Sequence, residues 1–343
     1  MATIKAPARL PELVKAAFAK ALHEGDLSYF PTHVQDVRVG ALSFQLRFSP
    51  SLANKPKAPP KQQGTTSSPS PKPFDPFAYT SPPPRLFVAD VGAAHFLVLN
   101  KFAIVPEHFI LATRDFKPQT HVLDADDLYA TLACIRAYEE GSSSSSTAHG
   151  GGALFAFFNC GAHSGASQPH RHIQLLPVAA MREGLPEDSA WSVLASRLDG
   201  DDGAVAPFRT FSDAIGLDTS REDLHATYLR LYEQAVRAAA AAKDDEPAAA
   251  KSGEEAAVSY NMAMTRDRLV LCPRLAEGGS IKDPDTGDVV GQVSLNGTML
   301  AGTALVKTEA EWDALRRSPR ALTAVLKSVG VAQPHFVEEN IKL

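Results

Sequence analysis

The chain has 343 residues, 44% of them apolar and 21% charged, with a formal charge of −5. That length holds two domains or one large fused one with a sizeable core, and the mildly acidic balance excludes a generic nucleic-acid or anionic-membrane binder. No window approaches the ~18 uninterrupted apolar residues of a membrane span, the first residues lack the continuous apolar stretch of a secretory signal so no leader is expected, and Cys134, Cys160 and Cys272 form no closely spaced pair. The expectation is a reduced, soluble protein of the cytoplasm, or of the nucleus as well, with no disulfide framework and no cysteine zinc cluster.

Leu13, Val14, Ala17, Phe18, Ala21 and Leu22 make one apolar stripe at helical spacing, and Gly25 can stop that helix. Phe44, Leu46 and Phe48 alternate as in a half-buried strand. Residues 50–84 hold eleven of the 25 prolines. Proline fixes φ and removes backbone donors, so a mobile or extended insertion is expected there. Residues 95–105 (HFLVLNKFAIV) read as one strand ended by Pro106. Residues 124–140 read as a helix, with acids in its first turn and Leu128, Leu132 and Ile135 inward. Soft connectors follow at 142–152 and 243–253. Residues 154–158 and 170–176 read as two more strands. Ser220 with Asp223, and Thr308 with Glu311, look like helix starts. Residues 283–288 read as a hairpin turn rather than a calcium loop. The fold class is α+β with a mostly antiparallel sheet.

The informative stretch is FNCGAHSGASQPHRHIQLLP, residues 158–177. An apolar strand ends in Asn159-Cys160-Gly161, and the small residues Ser164-Gly165-Ala166-Ser167 follow, which let backbone N–H groups approach an anion. In a strand His170, His172 and Gln174 share one face, while Arg171, Ile173 and Leu175 share the other. Three readings compete: histidines satisfied within a strand, a metal site with His163 as third ligand, and a histidine nucleophile attacking phosphorus beside an anion cradle. No Asp, Glu or Cys lies on that strand face, which weighs against the metal. Because a glutamine cannot donate a proton at neutral pH, Gln174 suits a leaving group that is already a stable anion, such as a polyphosphate. Its amide can still donate to a phosphoryl oxygen.

His170-x-His172-x-Gln174 after Ser164-Gly165-Ala166-Ser167 resembles the active-site strand of the nucleotidyltransferase branch of the histidine-triad superfamily. Within it, the chain looks like the diadenosine tetraphosphate phosphorylases (ATP adenylyltransferases). Ser51-Leu52-Ala53-Asn54-Lys55-Pro56, Leu99-Asn100-Lys101-Phe102, Tyr260-Asn261-Met262 with Pro273-Arg274, and residues 296–307 stand in that family's order. The resemblance therefore covers most of the chain. Hydrolases of the superfamily carry a third histidine where this chain has Gln174.

The resemblance implies a histidine-triad-like fold with helices flanking the sheet and a C-terminal part completing it. It divides the chain into a catalytic domain at 1–205, with 50–84 as an insertion, and an ATP adenylyltransferase domain at 206–343. It implies His172 as the nucleophile, its other ring nitrogen donating to a backbone carbonyl, with His170 in support and Gln174 beside the phosphoryl group. Gly165, Ala166, Ser167 and Gln168 would line the phosphates, and Asn159 would contact the nucleotide. Lys55, Asn100 and Lys101 would contact the substrate, the two lysines as cations along the polyphosphate. The Ser/Pro expansion at 50–84 departs from the family, and a flap over the nucleotide is a separate expectation for that loop. Asn296, Gly297, Thr298, Thr303 and Lys307 would complete the nucleotide site. The implied reaction is reversible phosphorolysis of diadenosine tetraphosphate to ATP and ADP. Its ligands would be dinucleoside polyphosphates, ATP, ADP and inorganic phosphate, with neither nucleic acid nor membrane as partner. Mg2+ or another divalent cation would arrive bound to the nucleotide, with no protein metal ligands and no organic cofactor. A hexose-1-phosphate uridylyltransferase and a non-catalytic dinucleotide sensor are the alternatives.

Overall fold

The computed structural model describes residues 4–52, 75–78, 85–142, 152–198, 205–248 and 250–336. Helix α1 (Leu10–Glu24) ends where Gly25, at φ 77°, returns its N–H to the last carbonyls. Its inward row is Leu10, Val14, Phe18 and Ala21, whereas Leu13 and Leu22 are each 42% exposed. The expected stripe is thus narrower than read, because the i, i+4 row from Leu10 to Phe18 already fills the contact with the sheet.

Strands β1 (Ser28–Tyr29), β2 (His33–Val39) and β3 (Leu42–Phe48) follow. All seven positions of β3 are buried, not alternate ones. Phe44, Leu46 and Phe48 join the core, while Gln45 and Arg47 on the opposite face donate to the Met181 carbonyl.

Next come β4 (Phe87–Val91), β5 (His95–Leu99), β6 (Phe102–Ala103) and β7 (Phe109–Thr113). The run 95–105 is therefore broken rather than one strand. The side chain of Asn100 accepts the Phe102 N–H at 2.9 Å, an Asx turn that leaves Lys101 exposed at its tip. Helix α2 (Ala125–Ser142) precedes β8 (Leu154–Cys160), β9 (His172–Pro177) and α3 (Val178–Arg182). The second half supplies β10 (Phe211–Ala214), α4 (Arg221–Ala241), β11 (Tyr260–Met264) and β12 (Arg268–Pro273). The hairpin β13 (Gly278–Lys282) and β14 (Val289–Ser294), β15 (Thr303–Val306), α5 (Glu309–Arg317) and α6 (Pro319–Val329) end the order. Ser220 caps α4 through the Asp223 N–H, and Thr308 with Glu311 forms a full capping box on α5.

Among the described residues the main sheet has eight antiparallel strands in the order β10-β12-β11-β8-β9-β7-β5-β4. It takes strands from both sides of residue 205. One face packs on α1, α2 and α4 through residues such as Leu111, Phe158, Ile173, Leu175 and Met262. The opposite face is covered in two patches. Phe155, Phe157 and Leu176 meet Phe44, Met299, Leu300 and the last helices. Phe96, Val98, Ile110 and Ala112 meet Phe77. His172 and Gln174, on this second face, stand between the two patches. A smaller sheet, β15-β3-β2, pairs β15 parallel to β3.

Candidate active site

β9 begins at His172, two residues later than the sequence implied. His170 forms only an isolated bridge with Pro118, because the Arg171 N–H turns to the Lys117 carbonyl at 2.7 Å and leaves the main ladder. The two histidines are nonetheless close. The His172 Nδ1–H donates to the His170 carbonyl at 2.7 Å, which leaves the lone pair on Nε2. Burial pulls the pKa of His172 down to about 4, the His170 carbonyl opposing that shift, so the ring is neutral at physiological pH.

Behind this strand, Arg171 points towards the helices. Its guanidinium pairs with Asp127 at 2.7 Å and Asp124 at 3.0 Å, and His95 Nε2 meets Asp127 at 2.8 Å. Burial works to raise the Asp127 carboxyl, but the His95 hydrogen bond and the Arg171 charge hold it well below the usual range. Arg171 is thus held on the helix side of the strand and the His172 ring on the other.

β8 and β9 are in register only as far as Phe157 opposite Gln174, and then part. Gln119 fills the gap. Its Oε1 accepts the His172 N–H at 2.8 Å, and its Nε2 donates to the Asn159 carbonyl at 2.9 Å. Sequence reasoning missed Gln119, which sits in an irregular segment with no motif around it. It also missed His108. Asn100 donates to His108 Nδ1 at 3.0 Å, so the hydrogen of that ring lies on Nε2, on the side of Gln174. Burial lowers the pKa of His108 to about 3. Asn100 therefore faces His108 and the turn, and Lys101 is exposed with its amine over the Phe102 ring.

The loop after β8 turns at Gly161, where φ is +84°, and at Gly165, where φ is +79°. Ser164 is fully buried and its hydroxyl donates to the Gly161 carbonyl, while Ala166 and Ser167 are exposed and Gln168 is half-buried. A Cβ on Gly165 would lie 2.7 Å from the Asn296 Cβ, so this loop rests directly on the second half of the chain. Asn159 Oδ1 accepts from Asn261 Nδ2 at 2.9 Å and from the Gly297 N–H at 2.8 Å. Buried Arg274 donates to Asn261 and to the carbonyls of Ala276, Glu277 and Leu295. Asn296 caps the short helix at Gly297–Ala301 through the Thr298 N–H, and also accepts from the Thr298 hydroxyl.

The structure thus gathers His170, His172 and Gln174 at one point, and Asn159, Gly165, Asn296, Gly297 and Thr298 beside it, linked by Phe157. Thr303 stands in the smaller sheet, buried, its hydroxyl donating to Gln45 at 3.2 Å. Lys307 is exposed past the end of β15. Neither shares a hydrogen bond with the histidine strand among the described residues. Lys55 lies outside the described residues, as do 53–74 and 79–84 of the expected insertion. Of that segment, residues 75–78 reach the site: the Phe77 ring lies 4.8 Å from the His172 ring, tilted by 31°.

The metal reading is not supported by this geometry, because both ring nitrogens of His170 and the Nδ1 of His172 already have protein partners. One neutral imidazole with its Nδ1–H held, beside a loop of small residues, is what the site offers. The family described as the Ap4A phosphorylase N-terminal domain matches residues 1–190, more than half of the chain. The chain belongs to the Ap4A phosphorylase family.

The ATP adenylyltransferase C-terminal domain family matches residues 204–332 of this Ap4A phosphorylase family member. A Saccharomyces cerevisiae protein named diadenosine 5',5'''-P1,P4-tetraphosphate phosphorylase 2 is 30% identical over 174 residues, about half of each chain at 49%. Protein APA1 of the same yeast is 23% identical over 94% of this chain and 95% of its own length. The crystal structure of yeast Ap4A phosphorylase Apa2 superposes with a TM-score of 0.72 at 23% identity, covering 96% of this chain and 99% of that one. The same enzyme in complex with Ap4A gives 0.68, with 96% and 99% covered, at 23% identity. These likenesses bear out the α+β fold expected from the sequence. No helix of the described residues is long and apolar enough to cross a membrane.

Proposed function

We propose that this chain catalyses phosphorolysis of diadenosine tetraphosphate to ATP and ADP through a covalent AMP–His172 intermediate. The observation that carries the reading is the His172 ring, neutral, with Nδ1–H held by the His170 carbonyl and Nε2 free to attack. In the first step the Nε2 lone pair forms a bond to the α-phosphorus, and the bond to the bridging oxygen breaks. ATP departs as an anion and takes no proton, which is why an amide suffices at position 174. In the second step an oxygen of inorganic phosphate attacks the same phosphorus, the P–N bond breaks, and ADP leaves with His172 regenerated. The N–H groups of the loop around Gly165 to Gln168 and the Gln174 amide would meet phosphoryl oxygens as charge shifts. Lys55 and Lys101 would add mobile cations along the polyphosphate.

Mg2+ is proposed to enter bound to the polyphosphate, where it would neutralise charge. Among the described residues no three His, Cys, Asp or Glu side chains are grouped to hold an ion, and no step above passes through one. The test is to incubate the protein with diadenosine tetraphosphate and Mg2+, with and without phosphate, and to measure products and intact mass. ATP and ADP formed only with phosphate, plus an adenylylated peptide containing His172, is the expected result. ATP with AMP in the absence of phosphate would make it a hydrolase. Exchange with uracil nucleotides alone would make it a uridylyltransferase, and tight binding without turnover a sensor.

A further inference from the structure

We propose that Asp75 is a positioning residue for the nucleophile, acting through His170 from within the proline-rich insertion. Asp75-Pro76-Phe77-Ala78 closes a turn in which the Ala78 N–H reaches the Asp75 carbonyl at 3.2 Å, with aspartate first and proline second. Asp75 Oδ1 accepts the Phe77 N–H at 2.9 Å, so the carboxylate cannot swing, and Oδ2 is thereby aimed at His170 Nδ1, 2.8 Å away. On the other side of the same ring, His170 Nε2 lies 2.8 Å from the Thr113 carbonyl and 3.0 Å from the Thr113 hydroxyl. That hydroxyl donates its own hydrogen to the Asp115 carbonyl at 2.8 Å, so towards His170 it only accepts.

A carboxylate, a carbonyl and a committed hydroxyl are all acceptors. Both ring nitrogens of His170 therefore carry hydrogen, and the ring is an imidazolium balanced by Asp75. The groups facing it are Asp75, Thr113 and neutral His172, with the Phe77 and Phe116 rings edge-on at 6.1 and 5.4 Å. Arg171 points the other way, to Asp124 and Asp127. His170 is 1% exposed, and a charge buried to that degree is not tolerated without its partner. Removal of the Asp75 charge forces one hydrogen off the ring, with loss of one of its two anchors. The His170 carbonyl that orients His172 is then held less firmly. Seating of residues 75–78, whose Phe77 lies against His172, is coupled in this way to the aim of Nε2.

The consequence for turnover rests on His172 as nucleophile; the state of the His170 ring does not. The experiment therefore uses the full chain without ligand, labelled with 15N-histidine, and records one-bond and multiple-bond 1H–15N spectra at neutral pH. His170 is assigned by its disappearance in His170→Asn. The expected spectrum has two hydrogen-bearing ring nitrogens on His170 in the wild type and one in Asp75→Asn, which keeps the turn because asparagine also favours its first position. In Asp75→Asn, kcat should fall about tenfold or more with KM within about twofold. A wild-type His170 with one bare nitrogen overturns the proposal whether or not the variant folds. An altered ring with unchanged kcat overturns the positioning role. If no turnover is found in any form, the proposed function fails while the ring spectrum still decides the Asp75–His170 pair.

Discussion

The carbonyl oxygen of His170 lies 2.7 Å from the Nδ1 of His172. A backbone atom two residues upstream thereby sets the tautomer of the proposed nucleophile, and the side chain of the same residue is clamped between Asp75 and Thr113. Because Nδ1–H is committed, Nε2 has no alternative state in the neutral ring.

His172→Asn removes the nucleophilic nitrogen but keeps the size and polarity of the site. Exchange of labelled inorganic phosphate into ADP, the reversal of the second step, should fall by at least about 10^4-fold, and intact mass should show no adenylylated species. The thermal midpoint should stay within about 3 °C of the wild type, since His172 itself makes one side-chain hydrogen bond worth about 1 kcal/mol.

The pH dependence has a definite sign. Burial lowers His172 to about 4 and His108 to about 3, against about 6.5 in the unfolded chain. Between those values the unfolded state binds the extra protons, so stability is complete above about pH 6.5 and falls as pH drops through that window. Each histidine contributes a slope on the order of 1 kcal/mol per pH unit there. Urea midpoints measured from about pH 6.5 down to about pH 5 should decline, and a flat profile would contradict the buried neutral rings.

Arg171→Met leaves Asp127, which is 1% exposed, without its cation. An uncompensated buried charge of this kind costs about 3–5 kcal/mol. Denaturant midpoints should shift accordingly, and phosphate–ADP exchange should fall with them because residues 170–172 lose their anchor on the helix side. Activity lost without any change of midpoint would mean that Arg171 acts on substrate instead.

Two glycines separate backbone strain from contact. Gly165 and Gly287 have nearly the same φ, +79° and +78°, but a Cβ would strike Asn296 and the Leu295 carbonyl at Gly165 and meets nothing within 4 Å at Gly287. Gly287→Ala should cost about 1 kcal/mol with kinetics unchanged. Gly165→Ala should cost about 2–3 kcal/mol and raise KM for the dinucleotide, because the phosphate loop is pushed off the Asn296–Thr298 segment. Equal kinetics for the two variants would place that loop outside the site.

Local chemistry was legible where neighbours in sequence decide the outcome. The period-two alternation puts His172 and Gln174 on one face, and the hydroxyl–carboxylate pairs at Ser220 and Thr308 start their helices as expected. Strand limits were less legible. Asn100 turns the chain within an apolar run, and Lys117 draws Arg171 out of the ladder. Both depend on hydrogen bonds that hydrophobic patterning does not register. Asp-Pro-Phe-Ala at residues 75–78 did carry a turn signature, hidden among prolines that read as a featureless insertion.

By itself, then, the sequence determined the α+β class, the strand face shared by His172 and Gln174, the small-residue loop and, through motifs in a family's order, the reaction to expect. Tertiary structure alone decided how those parts are held. Asp75 meets His170 from 95 positions away, Gln119 bridges β8 and β9, and Asn159 joins Asn261, Arg274 and Gly297 across the two halves of the chain. The reason is physical. Alternation and capping arise from backbone geometry within a few residues, whereas the charge, tautomer and aim of a buried side chain depend on whichever donors and acceptors the packed core brings within about 3 Å.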